Sequence, residues 1–561
     1  MPPPSPRRPL LLCSILCVGG CWSAAGSKES ADSQVYGILE RATARVTGQD
    51  RTFGVERPID TLRQRLLDQK RLLDKNSPAG ESEPVALSLN DALDVAAENS
   101  REFQRQKEQL YLTALSLTRA RHDFEVIFGG GGSADIDGEA DTKADVTLRD
   151  DLSAGVTTAS GMRIVGSFVN SFLRSVIHGG SFDGSSILSL TLTQPLLRGA
   201  GRRIVTEPLV QAERDVVYAV RDFERFRAQF ALRVVNDYWD VVAQMADLVT
   251  VDNNLRSRRT SRERVEELFR AGRADVTDLG REKQGEYSAE AQKVSAKNRL
   301  QTALDRFKLT LGLPVTAQIT LDPGELDRLQ QQGVEPIDLD EPHAIALALE
   351  RRFDHQSVVD NVEDAGRRVF VAEDALSMSL DFSAALNVPA ESGKGLNLDW
   401  SKVNWSAGFE LDLALDKLAE RNSYRSALIS LDVAIRNREQ SEDQIGADVR
   451  ASLRNIQSAI DTYEIQTIAV DLARQRVEAT TDLFLAGRAQ AFEKLDAQDD
   501  LLASQLDLTA AIVNYASARL QLMHDLEAIA LEGQGLRFDA ALPLPKPGTR
   551  TAAAHHESGD S

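Results

Sequence analysis

The sequence predicts an α+β fold assembled twice over, with long antiparallel helical hairpins joined to short alternating strands. Three observations predict it. The stretch from Ile204 to Gly272 contains one proline, Pro208, and no glycine before its end. Along it, Leu209, Ala212, Val216, Ala219, Phe223, Phe226, Phe230 and Val234 recur at spacings of three or four, an apolar seam of the coiled-coil kind. At ~1.5 Å per residue, about 65 residues make a rod of roughly 100 Å, far beyond the ordinary helix of about 11–12 residues. The second observation is Leu188-Ser189-Leu190-Thr191-Leu192-Thr193, which alternates apolar and hydroxyl side chains as a strand with one greasy and one wet face does. The third is a self-match: Leu268-Phe269-Arg270-Ala271-Gly272-Arg273-Ala274 against Leu483-Phe484-Leu485-Ala486-Gly487-Arg488-Ala489.

Each element follows in order. Arg7 and Arg8 precede an apolar run from Leu10 to Val18 and then Gly19, Gly20 and Cys21, so residues 1–20 read as an export signal. Val18-Gly19-Gly20-Cys21 resembles the bacterial lipobox, which implies that Cys21 is acylated and becomes the mature N-terminus. Trp22 follows in place of the aspartate that commonly retains enteric lipoproteins at the inner membrane, which leans towards the outer one. Residues 21–86 read as a tether or extension, with a short amphipathic helix at Thr61–Leu73 and a linker at Asn76–Pro84. Leu89–His122 reads as one helix capped by Ser88 or Asn90, and Gly129–Gly132 as a flexible turn, since no phosphate-loop context surrounds them. The alternating segments up to Thr193 hold Val146, Leu148, Leu152, Ile164 and Phe168. The long rod and a return helix from Asp275 to about Leu311 complete the first repeat, 87–325.

Residues 326–336 read as a linker, and the programme then restarts over 337–532. Pro342–Ala348 matches the helix start at Asp91–Ala96, and Leu376–Leu386 and Asn404–Leu415 are strand-like. A second rod runs from about Arg421 to Ala486 with a seam of Val449, Leu453, Ile456, Ile460, Tyr463 and Val470, and a return helix follows from Gln490. Residues 533–561 read as a disordered tail.

Composition narrows the function. A net charge of −20 over 561 residues argues against nucleic acid as a partner, which needs clustered Lys and Arg, and fits either a solvated acidic surface or an acidic channel wall. All three cysteines lie in the first 21 residues, so no disulfide or cysteine metal site is available downstream. No later segment reaches about 18 consecutive apolar residues, so a membrane-spanning part must be a closed β-barrel. The seven histidines are scattered, and neither a nucleophile with its base nor a nucleotide fingerprint occurs; the chain reads as no enzyme, with no cofactor and no metal.

Over about residues 87–531 the chain resembles the TolC family of bacterial outer-membrane efflux proteins. The resemblance is carried by the duplicated element order, the start Leu87-Ser88-Leu89-Asn90-Asp91-Ala92-Leu93, the strand exit Gln194-Pro195-Leu196-Leu197-Arg198-Gly199 and the two Ala-Gly-Arg tips. It implies an α+β membrane protein: a homotrimer whose four strands per protomer close a twelve-stranded β-barrel in the outer membrane, above an α-barrel through the periplasm. It implies a passive exit duct of a tripartite efflux or type I secretion system, gated at the helix tips, with a periplasmic adaptor (membrane fusion protein) and an inner-membrane pump as partners. Gly272, Arg273, Gly487 and Arg488 would meet the adaptor. Glu493 and Asp496, six and nine positions after Gly487, match the family's periplasmic constriction, with Asp278 as the first-repeat counterpart. Three copies would form an acidic ring selecting or plugged by cations; a solvated helix face is the alternative. The chain departs from the family at Ala489, which stands where an arginine can occur, at Phe484, which lacks a latching hydroxyl, and at Asp416. The first β region is longer than two strands need, which predicts an extra hairpin or external loop. The rival reading is a coiled-coil lipoprotein spacer tethered to the outer membrane.

Overall fold

In a computed structural model, residues 23–58, 60–68, 84–139, 143–175, 183–334, 339–391, 397–413, 415–486, 488–533 and 535–538 are described. The signal segment, Cys21 and Gly487 lie outside them. The chain forms two compact units, each drawn from three stretches: 1–53, 110–220 and 360–436 for the first, and the remainder for the second.

Duplication is explicit in the helices. The first repeat holds α2 (Leu89–Asn99), α3 (Arg101–His122), α4 (Glu207–Arg270) and α5 (Val276–Thr310), after α1 (Ala24–Thr47) and strand β1 (Val85–Leu87). The second holds α7 (Glu341–Arg351), α8 (Phe353–Asp374), α9 (Leu418–Leu485) and α10 (Ala491–Asp525). Corresponding helices have 11 and 11, 22 and 22, 64 and 68, and 35 and 35 residues, so one plan is used twice. The predicted helix Leu89–His122 is broken at Ser100, whose backbone turns extended (φ −65°, ψ 127°). The second repeat breaks in the same way at Arg352 (φ −60°, ψ 121°).

The first unit centres on a six-stranded antiparallel sheet of β2 (Ile127–Glu139), β3 (Lys143–Thr157), β4 (Arg163–Ser175), β5 (Asp183–Pro195), β7 (Ser379–Pro389) and β8 (Asn404–Asp412), in the order β2-β3-β4-β5-β7-β8. Gly129–Gly132 are therefore strand and not the expected turn; none adopts positive φ, and β2 pairs with β3 along its whole length. The extra hairpin is β2–β3. Four strands per protomer were implied by the resemblance; the sheet has six.

The N-terminal extension is more than a tether. Helix α1 buries Val35, Ile38 and Leu39, and Tyr36 packs against Phe53 and Tyr111 while Tyr111 Oη donates to Asp32 at 2.7 Å. In the second unit, Arg63 donates to the Gly312 carbonyl at 2.7 Å and its amide to Asn99 Oδ1 at 3.0 Å. There β1 also pairs in parallel with β6 (Ile319–Leu321). The expected linker 326–336 is mostly helix α6 (Glu325–Gln332). At the other end, Leu536 and Phe538 are buried and Arg537 pairs with Asp94, so the packed body runs past the expected limit of 532; residues 539–561 lie outside the description.

Candidate functional site

The helix tips are built by the sequence twice. At the end of α4, Gly272 takes φ +71°, its amide donates to the Phe269 carbonyl at 3.0 Å, and the Arg273 amide donates to the Leu268 carbonyl at 2.8 Å. That is a Schellman ending, which needs the left-handed residue that glycine supplies without penalty. At the end of α9 the Arg488 amide donates to the Leu483 carbonyl at 2.8 Å, the same closing bond in the second repeat. Arg273 and Arg488 are both exposed.

The acidic residues lie just past those tips. Asp278 sits in the first turn of α5, where Asp275 caps the helix and accepts from the Asp278 amide at 2.7 Å. Glu493 is the third residue of α10 and closes a capping box: its Oε2 accepts from the Gln490 amide at 3.0 Å. Asp496 accepts from Arg476 Nη2 at 2.6 Å, and Arg476 also pairs with Asp500. Glu493, Asp496 and Asp500 are exposed, while Ala491, Lys494, Ala497 and Gln498 between them are buried. The helix thus turns one acidic face outward, and Asp496 belongs to a group of two carboxylates and one guanidinium.

Sequence reading missed the opposite face. Lys494 is 5% exposed and Glu282 fully buried; Lys494 Nζ donates to Glu282 Oε1 at 3.3 Å and bonds Ser261, which donates to Glu282 Oε2 at 2.8 Å. Burial holds the Lys494 ammonium below its ordinary value, against the pull of Glu282. Its ammonium also lies 5.2 Å from the Phe484 ring centre. One helical turn away, buried Arg258 donates to Asp499 Oδ1 at 2.6 Å and to the Leu495 carbonyl at 3.1 Å. These bonds join α4 and α5 of the first repeat to α10 of the second, just behind the tips. Gly285 permits the approach: a Cβ there would lie 3.2 Å from Leu495 Cδ2. The available signal was the spacing Ala491, Lys494, Ala497, which places a lysine on an otherwise small-residue face.

The sheet's two faces differ in their balance of side chains. Directly opposed residues share a face. One such row is Phe128, Ala154, Gly166, Leu190, Leu386 and Trp405, and the adjacent row on the other face is Gly129, Ser153, Ser167, Ser189, Asn387 and Asn404. The apolar face is interrupted by the row Asp150, Asn170 and Ser186, where Asn170 donates to Asp150 at 2.7 Å, and by Arg174 and Gln194 at the strand ends. The strands have 9 to 15 residues, enough for the ~9–11 that cross a bilayer when tilted. Among the described residues no helix is long and apolar enough to cross a membrane.

The chain is thus a duplicated helix–strand fold with a two-faced sheet and two helix tips of the same design. Residues 344–526, within the second repeat, match the model of the outer membrane efflux protein family. The fold is similar to VceC of Vibrio cholerae (17% identity, 78% of this chain and 95% of that one, TM-score 0.58). It is also similar to the CmeC outer membrane channel of Campylobacter jejuni (14%, 78% and 85%, TM-score 0.59). The open state of the MtrE outer membrane channel of Neisseria gonorrhoeae matches as well (13%, 78% and 88%, TM-score 0.58). No curated protein matches the chain.

Proposed function

We propose that the chain is the outer-membrane exit duct of a tripartite efflux or type I secretion system. It works as a homotrimer, anchored in outer-membrane lipid through Cys21 and passing substrate without catalysis. The family domain at 344–526 is the observation that carries this reading, and the two-faced sheet supports it, since only a closed barrel satisfies strand edges in lipid. The exposed tips at Arg273 and Arg488 suit docking of an adaptor, which couples the duct to an inner-membrane pump. Gating is rearrangement at the tips near Gly272 and Gly487. Three copies of Glu493 and Asp496, with Asp278 as their first-repeat counterpart, narrow the inner end into an acidic constriction. Because Glu493 also caps its helix and Asp496 is shared with Arg476, part of that charge is already committed.

Conductance in planar bilayers tests it. The purified protein should form a small cation-sensitive channel, and Glu493→Ala with Asp496→Ala should raise the conductance and reduce block by divalent cations. A protein fully soluble once its lipid is removed, with no conductance before or after these substitutions, would instead be the coiled-coil spacer.

A further inference from the structure

The sheet ends on two open strands. Among the described residues β2 pairs only with β3 and β8 only with β7, so each leaves a free edge there. The sheet's six described strands fall short of the eight in the smallest membrane barrels, so they cannot close on themselves. Lipid does not tolerate open edges. We propose that β2 of one copy pairs with β8 of the next, and that six strands from each of three copies close an eighteen-stranded barrel instead of a twelve-stranded one. The count of three rests on the trimer proposed above; the β2–β8 seam does not.

Four observations carry it. Successive strands alternate in direction from β2 to β8, so β2 and β8 run oppositely and their junction continues the antiparallel order. The apolar face extends into the added hairpin through Phe128, Ala134 and Ile136 on β2 and Leu148, Leu152 and Val156 on β3, interrupted on β3 by Asp150. A hairpin folded away from the wall would leave that band in water. The edge of β4 that would otherwise meet a second copy is filled by β3 over its pairing from Arg163 to Ser175.

The fourth is register. One row of opposed residues runs Ile127, Gly155, Val165, Thr191, Ala385, Ser406. β8 continues six residues beyond Ser406, to Asp412, while β2 starts at Ile127. Aligning the start of β2 with the end of β8 therefore staggers each copy by those six residues. Six residues at ~3.3 Å against six strands at ~4.8 Å give a tilt of roughly 35°, the value closed barrels adopt. In that register Ser133 faces Ser406 and Gly131 faces Gly408 on the polar side. On the apolar side Gly130 faces Phe409 and Gly132 faces Ala407. Within the glycine run of β2, Gly130 thus meets Phe409, an aromatic that covers its exposed backbone.

Disulfide trapping in the full chain tests this, with the parent as control because its cysteines lie only at 13, 17 and 21. The pair Ser133→Cys with Ser406→Cys reports the β2–β8 seam. The pair Ser167→Cys with Gly408→Cys reports a twelve-stranded alternative, in which β4 meets β8 directly. Under mild oxidation in outer membranes, the first pair should link copies into a covalent ring, at least tenfold more than the second. Linkage by the second pair alone overturns the proposal, as does linkage by neither in a protein that native mass spectrometry shows to be trimeric. A ring of another copy number through the first pair keeps the seam and removes the trimer. A monomer removes both.

Discussion

Lys494 is buried against Glu282 and Ser261, and its removal separates two effects. Lys494→Met leaves the Glu282 carboxylate fully buried with only Ser261 to bond it. A lone buried charge costs about 3–5 kcal/mol, whereas replacing both partners by neutral groups is often close to neutral. The thermal midpoint in detergent should therefore fall steeply in Lys494→Met and recover in Lys494→Met with Glu282→Gln. Equal losses in single and double variants would show that packing, and not charge, sets the cost. His524 gives a pH effect of known sign. Burial, with Arg225 and Arg352 nearby, lowers its imidazole to about 4, and Asp354 only partly opposes this. The unfolded chain thus binds the proton first, so stability is whole above pH ~6.5 and drains as pH falls towards ~4, by roughly 3 kcal/mol at most. Asp525 and Glu527, whose carboxyls burial pushes up, act in the opposite direction. His524→Gln isolates the effect: its midpoint should fall less than the parent's between about pH 7 and pH 4.5. An identical fall would count against a neutral, buried imidazole.

The helix ends separate conformational need from close approach. Gly272 and Gly312 both take positive φ, +71° and +74°. A Cβ on Gly272 meets nothing within 4 Å, while one on Gly312 would lie 2.3 Å from the Asn99 carbonyl oxygen. Gly272→Ala should therefore cost about 1 kcal/mol, the left-handed penalty alone, and Gly312→Ala roughly 3 kcal/mol or more. Chemical denaturation of the two variants checks the gap. What was legible in the sequence follows the same division. The rods and their glycine stops were readable because a long seam and a glycine both act locally. The breaks at Ser100 and Arg352 were not, since neither residue is a breaker; Asn99 beside the first meets Arg63 and Gly312, and Arg352 at the second meets Asp448, all remote in sequence. Helix α1 was missed because its buried face is only Val35, Ile38, Leu39 and Thr43 within a polar, glycine-containing run. The glycines of β2 were read as a turn because their strand is imposed by pairing with β3 and not by their own preference. Of the candidate site, the acidic face of α10 was legible as charge, but Lys494 was not, because its partner Glu282 is more than 200 residues away.

At the scale of the molecule, the sheet's apolar band is what makes a membrane reading physical, and it can be broken one residue at a time. Leu190 and Thr191 are neighbours on β5 but lie on opposite faces, Leu190 between Gly166 and Leu386, Thr191 between Val165 and Ala385. Leu190 leaves about half of its surface exposed, 48%, although the strand is central in the sheet. In water that exposure is a liability; against lipid it is the stabilising contact. An arginine on a lipid-facing position near mid-bilayer costs about 2–4 kcal/mol, and a lumen position accepts it at little cost. Leu190→Arg should accordingly reduce folding into phospholipid vesicles by that amount in urea titrations, and Thr191→Arg should not. The same comparison in the added hairpin, Leu152→Arg against Ser153→Arg, asks whether β3 belongs to the wall, since Leu152 continues the Phe168 and Leu188 row. If the band wraps all six strands, the two leucine variants lose comparable stability. If β2–β3 stands outside the lipid, only Leu190→Arg is penalised, and the barrel returns to four strands per copy.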